Sequence, residues 1–372
     1  MADERKVLVL QGGGALGAYQ AGAFQRLAEA GEQPDWVAGI SIGAINAALI
    51  CGNRPEARVA ALETFWHRIS AALPTSPLAR MMPRRVFGEM AAAAVLASGA
   101  PGFFTPRLPA AALMPGGLLQ LTSFYDTTPL HRTLEELVDF DYLNREGPRL
   151  SVGAVDVQSG NFAYFDSAEI RIRPEHIMAS GALPPGFPAV KVAGRSYWDG
   201  GLVSNTPLQY VMERRADGAL CIFQVDLFNA RGPLPQTMDE VQSREKDIRF
   251  SSRTRLTTDR FRELAALRAA AERLYARLPD ALKDDPDMAL LRGATPEGPV
   301  TLVHLIHRRE RFEGAAKDYE FSRLTMQEHW AAGERDVRRT LGHPAWAGRG
   351  QGDAALTVLD LTRDAADHAK AG

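Results

Sequence analysis

Two short apolar runs, each followed at once by a turn of small residues, constrain the fold of this 372-residue chain more than any other feature. Residues Lys6–Leu10 (KVLVL) precede three glycines, and Trp36–Ile40 precedes Ser41. Runs of this length are typical of strands that are buried on both faces of a parallel sheet. Helical patterns follow at Ala15–Ala30 and Ile42–Ile50. The start of the chain is therefore predicted to fold as β-loop-α-β-turn-α.

Further strand patterns, separated by helical ones, occur at Leu150–Val157, Tyr197–Trp198, Ala219–Asp226 and Val300–His307. This alternation predicts an α/β fold with a mainly parallel central sheet flanked by helices, a helical insert and a C-terminal helical extension. The predicted boundaries are an α/β core at 1–232, a basic helical insert at 233–299, a late core strand with the extension at 300–350, and a polar tail at 351–372.

Composition argues against several classes of protein. The 43 Lys and Arg residues against 45 Asp and Glu give a net charge of −2, so no nucleic-acid partner is expected. Cys51 and Cys221 lack the spacing of a disulfide framework or a zinc site, which favours a reducing compartment. No signal peptide is recognisable, and the uncharged stretch Trp36–Gly52 contains glycines and polar residues that argue against a membrane span. A cytoplasmic protein is expected.

The glycine loop Gly12-Gly13-Gly14-Ala15-Leu16-Gly17 matches the G-x-G-x-x-G pattern of dinucleotide-binding turns. Such a site also needs an acidic residue at the end of the second strand to hold the ribose. That strand ends at Ser41 instead, so no cofactor is expected.

The second turn, Gly39-Ile40-Ser41-Ile42-Gly43, has the G-x-S-x-G pattern and lies between a strand and a helix. This is the setting of a nucleophile elbow, in which a tight turn exposes a serine hydroxyl. The turn also places Ser41 at a helix N-terminus, where the dipole favours negative charge. The glycine loop at the neighbouring strand end could then supply backbone N–H donors for an oxyanion.

A serine nucleophile needs a base, and the sequence offers two kinds. His304 and His307 come late enough for an α/β-hydrolase, but the elbow of that fold lies further along the chain. Asp199 instead follows an aromatic strand and precedes two glycines, and Asn205 or Thr206 with Pro207 is expected to open the next helix. An ordinary turn aspartate remains an alternative for Asp199.

The chain resembles the patatin-like phospholipase family in four motifs that occur in the family's order and spacing. These are Gly12–Gly17, Gly39–Gly43, Ala179–Pro188 and Asp199–Gly201. The resemblance covers about residues 6 to 210, and Val300–Trp330 is similar to a C-terminal extension of a bacterial subgroup. It implies the patatin-like fold and a lipid acyl hydrolase.

The resemblance implies a dyad without histidine, with Ser41 as the nucleophile and Asp199 as the base. The expected oxyanion donors are the backbone groups of Gly12, Gly13, Gly14 and Ile42, and no metal is expected. The remaining motif glycines are Gly17, Gly39, Gly43, Gly200 and Gly201. Many members carry Arg or Lys where this chain has Leu16, so its choice of substrate could differ.

Alternatives to lipid ester hydrolysis are an esterase or depolymerase acting on short-chain or storage polyesters, and a catalytically idle lipid-binding scaffold. The stretch Gln242–Leu278 carries ten basic residues and apolar residues at helical spacing. It is interpreted as a helix packed on the core with a solvated basic face, and peripheral contact with an anionic membrane is the alternative. Met81–Pro129, with Phe103 and Phe104, is interpreted as a lid or an irregular surface insert. His304, His307 and His329 are expected to be structural or surface residues.

Overall fold

The computed structural model describes residues 4–73, 81–107, 122–252, 254–279, 283, 285–292, 298–308, 313–349 and 355–361. Within them the chain forms a nine-stranded mixed sheet with helices on both sides, and a separate pair of very short strands. The predicted α/β class and mainly parallel sheet are confirmed.

The strands are β1 (Arg5–Leu10), β2 (Trp36–Gly39), β3 (Thr105–Pro106), β4 (Tyr125–Asp126), β5 (Arg149–Asp156), β6 (Phe162–Asp166), β7 (Val190–Val192), β8 (Arg195–Asp199), β9 (Leu220–Asp226), β10 (Val300–Ile306) and β11 (Leu356–Asp360). The main sheet has the order β11-β10-β9-β1-β2-β5-β8-β7, with β6 also paired to β5. All pairs from β11 to β5 are parallel, whereas β6, β7 and β8 pair antiparallel.

The helices are α1 (Ala18–Glu29), α2 (Ile42–Cys51), α3 (Arg58–Ile69), α4 (Arg84–Ser98), α5 (Thr128–Leu137), α6 (Phe140–Arg145), α7 (Pro174–Ser180), α8 (Leu208–Arg214), α9 (Met238–Phe250), α10 (Thr254–Tyr275), α11 (Pro286–Arg292), α12 (Arg323–Leu341) and α13 (Pro344–Ala347). Short 3₁₀ helices cover Gly14–Gly17, Gly200–Leu202 and Lys317–Tyr319. None of the helices in the described part of the chain combines the length and the apolar character that a membrane span requires.

The central strands have the apolar composition that burial on both faces requires. Val7, Val9 and their neighbours in β9 and β10 face one side, and Leu8 and Leu10 face the other. Two packed layers therefore cover the sheet, and the carboxyl ends of β1, β2 and β9 meet at one edge. Ligand sites in open α/β sheets lie at this edge.

The C-terminal part of the chain differs in one place from the sequence prediction. Residues 356–360, placed in a polar tail, form β11, which extends the sheet beside β10. The segment Leu356-Thr-Val-Leu-Asp is short, and its N–H and C=O groups gain partners by joining an edge strand. The rest of that predicted tail lies outside the described residues, apart from positions 355 and 361.

The basic stretch forms two helices, α9 and α10, rather than one. Phe261 of α10 packs against the core, whereas Leu256, Leu267 and Leu274 are more than half exposed. The expectation of a helix packed on the core is thus correct for one face of α10 and wrong for these three leucines.

The segment interpreted as a lid or an irregular surface insert is partly regular where it is described. It contains α4, which exposes Val86, Met90 and Leu96, whereas Phe103 and Phe104 are buried in the core. Both rings contact Phe187 and Phe321, with centroids 5.2 to 6.3 Å apart. These phenylalanines join the insert to the C-terminal segment. Residues 108–121 of the predicted lid lie outside the described residues.

Helix α12 packs closely along α1. Gly22 of α1 lies against the carbonyl of Trp330, and Gly333 of α12 lies against the carbonyl of Tyr19. The Tyr19 hydroxyl donates to Asp336 at 2.7 Å, and the Trp330 indole N–H donates to Gln25 at 2.7 Å. The C-terminal extension therefore belongs to the same core as the first helix.

This close crossing predicts that Gly22→Ala destabilises the protein. A Cβ at Gly22 would lie 1.9 Å from the Trp330 carbonyl oxygen, so the helices must separate. We expect the free energy of unfolding to fall by about 1–3 kcal/mol, the usual cost of overpacking. Gly88→Ala in α4 is the matched control, because nothing lies within 4 Å of a Cβ there. It should stabilise by about 0.5–1 kcal/mol. If the two substitutions change the free energy of unfolding equally, in thermal or denaturant unfolding, then α1 and α12 do not pack this closely at Gly22.

Candidate active site

Ser41 lies in a strained turn between β2 and α2. Its φ of 56° and ψ of −123° are sparsely populated for a residue with a side chain. The turn is tight because the backbones of Gly39 and Gly43 touch, and a Cβ on Gly39 would lie 2.3 Å from the Gly43 carbonyl oxygen. The local geometry is that of a nucleophile elbow.

The backbone of Ser41 is held from both sides of the turn. Its N–H donates to the hydroxyl of Ser180 at 3.0 Å, and its carbonyl accepts from Ala44 and Ile45 in the first turn of α2. Ser180 ends α7, at the start of the glycine- and proline-rich segment that continues to Pro188. The serine side chain is thereby left outside the helix, beside its positive end.

Asp199 ends β8 and is 2% exposed. Its carboxylate accepts the N–H of Gly201 at 2.7 Å. Burial raises the pKa of Asp199 to about 6, although hydrogen bonds from the Ser41 hydroxyl and the Gly201 N–H oppose the rise. The structure therefore brings Ser41 and Asp199 together from positions 158 residues apart in sequence (199 − 41).

The glycine loop lies against Ser41, because a Cβ on Gly12 would be 3.0 Å from the Ser41 Cβ. The Gly12 N–H, expected to be an oxyanion donor, instead donates to the Asn205 carbonyl at 3.2 Å. No acceptor within the described residues is seen for the N–H groups of Gly13, Gly14 or Ile42. These three N–H groups can therefore act as the expected oxyanion donors, whereas the Gly12 N–H is already hydrogen-bonded.

The remaining motif glycines lie where other groups come close to the backbone. Gly17 lies against Ile42 and Trp66, and Gly200 lies against the Gly153 carbonyl of β5. Gly14 has a φ of 55°, and a Cβ there would meet the carbonyl oxygen of Asp318 at 1.9 Å. The glycine loop is therefore backed by the C-terminal segment.

Buried amide side chains hold the glycine loop in place, and the sequence patterns did not predict this role for them. The Gln11 side chain accepts from the N–H groups of Leu227 and Phe228 at 2.6 and 2.9 Å, while its amide donates to Thr206. Gln20 donates to the Gln11 carbonyl at 2.6 Å. Gln11 and Gln20 stand among apolar residues next to the loop. That position could have indicated their role, because a buried amide needs hydrogen-bond partners.

Asn46 and Asn205 extend this network. Asn46 donates to the Gly17 carbonyl and to Gln20 at 3.0 and 2.9 Å. Asn205 donates to the Gly12 carbonyl at 3.0 Å and to the Phe250 carbonyl at 2.8 Å. The sequence predicts Asn205 or Thr206 as a helix cap, but α8 begins at Leu208 with Pro207 before it. The Asn205 amide thus fixes the loop rather than the helix.

Two of the histidines lie in a cluster of their own. His307 and His329 are 2% and 1% exposed, and both contact Glu313. The expectation of a structural position agrees with this burial, and the alternative of a surface position is wrong for both. His304 is half-buried on β10, beside β9 and β11.

Leu16, in the 3₁₀ helix of the glycine loop, is fully buried. It packs in the main core cluster. A charged side chain in this orientation would lose its hydration without a compensating partner. The glycine loop of this chain is thus electrically neutral at that position.

Two family models match most of this chain. A family model described as Patatin-like phospholipase matches residues 8–212, and one described as Patatin phospholipase matches residues 248–353. No curated protein gives a significant match. Among solved structures, VipD from Legionella pneumophila has 13% identity over 90% of this chain and 66% of that one, with a TM-score of 0.38. The ExoU–SpcU complex from Pseudomonas aeruginosa has 18% identity over 78% and 68%, with a TM-score of 0.32. The chain thus spans about two thirds of the length of these structures.

The buried carboxylates predict a pH-dependent stability. Burial raises the pKa of Asp199 to about 6 and that of Asp226, at the end of β9, to about 7. Both pKa values lie above the unfolded value of about 3.9, so the folded state binds protons more tightly. The free energy of unfolding must fall as the pH rises from about 4 to 7. At pH 8, Asp199→Asn should recover about 3 kcal/mol and Asp226→Asn about 4 kcal/mol, and both should recover almost nothing at pH 4.

Denaturant titrations at the two pH values measure this difference. Asp259→Asn, at a half-exposed residue of α10 paired with Arg262, is the control and should change little at either pH. If the two buried variants gain no stability at pH 8 relative to wild type, the carboxylates are not desolvated as described.

Proposed function

The chain belongs to the patatin-like phospholipase family, and we propose that it is a serine acyl hydrolase that cleaves carboxylic esters of lipids with Ser41 and Asp199. The observation that carries the proposal is the buried Asp199 carboxylate held beside a serine in a strained elbow. A carboxylate with an ordinary pKa near 4 is a weak base for a hydroxyl. Burial brings its pKa towards neutral pH, where a general base is most effective.

In the proposed reaction, the Ser41 hydroxyl oxygen attacks the ester carbonyl carbon while Asp199 accepts its proton. The carbonyl oxygen becomes an oxyanion, and the N–H groups of Gly13, Gly14 and Ile42 stabilise it. Collapse releases the alcohol, which takes the proton from Asp199. Water then attacks the acyl-serine and loses a proton to Asp199. The tetrahedral intermediate collapses to the acid, and Asp199 returns the proton to the Ser41 oxygen.

A large groove begins at the turn after Asp199 and supports the choice of substrate. Its volume is about 1140 Å³, and it runs from Gly201 along α9 and α10. Much of its lining is apolar, with Val203, Leu208, Met212, Ile248, Phe261 and Leu264. A groove of this size and character suits a long acyl chain better than a short one. Arg249 and Arg260 also line it and would suit an anionic phosphate.

Peripheral contact with a lipid surface is part of the proposal. The exposed Leu256, Leu267 and Leu274 of α10 lie among basic side chains, and such a face suits the interface of an anionic membrane. The short-chain esterase and the idle lipid-binding scaffold remain outcomes of the experiments that follow.

The dyad predicts that Ser41→Ala and Asp199→Asn each reduce ester hydrolysis by about 10³-fold or more, because each removes a reacting group. In wild type, kcat/KM should fall as the pH drops below about 6, since Asp199 is then protonated and cannot accept a proton. The measurements are initial rates on p-nitrophenyl esters of increasing chain length and on phospholipid vesicles, with fluorophosphonate labelling of the serine.

Ser98→Ala and Asp226→Asn are the controls. Ser98 is an exposed serine at the end of α4 and does not line the groove, and Asp226 is buried with a similarly raised pKa but does not touch Ser41. Both variants should keep the activity, and Ser98→Ala should keep the label. Full activity of Ser41→Ala would refute the mechanism, and a wild type that neither hydrolyses nor labels would indicate the scaffold.

The groove predicts that Leu264→Trp shortens the preferred acyl chain. The larger ring would fill part of the groove, so rates on long-chain esters and phospholipids should fall about tenfold while rates on a short ester stay near wild type. Leu290→Trp is the control, because Leu290 of α11 is 74% exposed and belongs neither to the groove lining nor to the exposed leucines of α10.

An unchanged chain-length profile in Leu264→Trp would place the acyl chain elsewhere. Maximal activity of wild type on the shortest esters would favour the short-chain or polyester substrate. Both results are distinct from a failure of the dyad, because they leave hydrolysis dependent on Ser41.

A further inference from the structure

Three side chains from separate segments converge in the interior, away from the proposed dyad. His307 follows β10, Glu313 precedes the 3₁₀ helix Lys317–Tyr319, and His329 lies in α12. Their exposed fractions are 2%, 5% and 1%. Residues 309–312, which connect the first two, lie outside the described residues.

The geometry of the three side chains is that of a shared centre. Nε2 of His307 and Nε2 of His329 each lie 3.0 Å from the same carboxylate oxygen, Oε1 of Glu313. One ligand atom from each residue falls within 4.8 Å of the others. The two imidazole rings meet edge to face, with centroids 5.0 Å apart and planes at 70°. One nitrogen from each histidine and one oxygen of Glu313 are thus close enough together to bind the same ion.

The chemistry of this set matches a particular class of ion. Two neutral imidazoles and one carboxylate form a recurring ligand set for Zn²⁺, which takes four ligands in a tetrahedron. Ligand atoms about 2 Å from a metal lie about 3.3 Å from one another, close to the 3.0 Å observed here. Hard cations such as Mg²⁺ and Ca²⁺ prefer oxygen ligands and do not suit two histidines.

The surroundings leave room for a fourth ligand. A cavity of about 30 Å³ adjoins the cluster, and Glu313, His329 and Glu320 lie in its wall. Three cations also line it, Arg84, Arg85 and Lys317, and they form ion pairs with Glu328, Asp239 and Asp247. This volume is enough for one water molecule, which needs about 10–15 Å³. Glu320 is itself 5% exposed, so the cavity wall is polar inside an otherwise packed region.

We propose that His307, Glu313 and His329 bind one Zn²⁺ ion through the two Nε2 atoms and Glu313 Oε1, with a water in the fourth position. Each neutral imidazole then offers the Nε2 lone pair to the ion and carries its single proton on Nδ1. The ion joins the end of a sheet strand to α12 and to the segment that precedes Asp318, the residue behind Gly14. It thereby fixes the C-terminal segment against the glycine loop and α1.

The test is zinc binding by the purified full-length protein. Wild type is stripped with a chelator, then titrated with Zn²⁺ alone against a chromophoric competitor, and the melting temperature is recorded with and without the ion. We expect one equivalent of Zn²⁺ per chain and a higher melting temperature in its presence. Co²⁺ in place of Zn²⁺ should give the intense visible absorption of a tetrahedral site.

Variants locate the site. Glu313→Gln and His329→Gln should each weaken Zn²⁺ binding by more than tenfold and remove the rise in melting temperature. His304→Gln is the control, because His304 lies on β10 outside the cluster and should leave binding unchanged. The wild-type titration and the Co²⁺ spectrum decide the matter even where a variant does not fold.

Two results would overturn the proposal. Stripped wild type that takes up no Zn²⁺ and shows no change in melting temperature would leave Glu313 as a shared hydrogen-bond acceptor of two histidines. Binding that persists at full strength in Glu313→Gln and His329→Gln would place the ion elsewhere on the chain.

Discussion

The contact between backbones around Ser41 is the constraint on which the site depends. The turn closes only because Gly39 and Gly43 touch, and the glycine loop reaches Ser41 only because Gly12 carries no side chain. The strain of the Ser41 backbone, of the order of 1–3 kcal/mol, must be offset by the core around it. The fully buried α2 and the hydrogen bond from the Ser41 N–H to Ser180 supply that support.

The second requirement is a buried carboxylate, which a folded protein otherwise avoids. Asp199 has one direct backbone donor, the N–H of Gly201, and the Ser41 hydroxyl as its other partner. Such incomplete compensation leaves the carboxylate basic and makes the native state less stable at neutral pH. The same property that suits Asp199 to accept a proton therefore lowers stability, and the packed double layer around the sheet tolerates it.

Much of the fold could be predicted because its signals are local. The apolar runs of β1, β2, β5, β9 and β10, and the turns that end the first two, follow from period and turn chemistry. The short strands β6 and β7 carry weak patterns and depend on pairing with β5 and β8. The hydrogen bond of Asn205 to Gly12 joins positions 193 residues apart, and the cluster at Glu313 joins a strand end, a loop and a helix. The spacing of apolar residues along the sequence cannot predict such contacts, because they form only when the folded sheet brings its strand ends and the neighbouring segments together.

The C-terminal part of the chain is best understood as the back wall of the glycine loop. Gly14, a proposed oxyanion donor, has its backbone against the carbonyl of Asp318, and Asp318 also pairs with Lys246 of α9 at 2.7 Å. Lys317 forms a buried ion pair with Asp247 on the same helix at 2.6 Å. Breaking a buried pair is costly, so the loop, α9 and the 3₁₀ helix at Lys317–Tyr319 must keep one arrangement. The two stretches matched by the family models, 8–212 and 248–353, therefore meet at the loop, and neither completes its environment without the other.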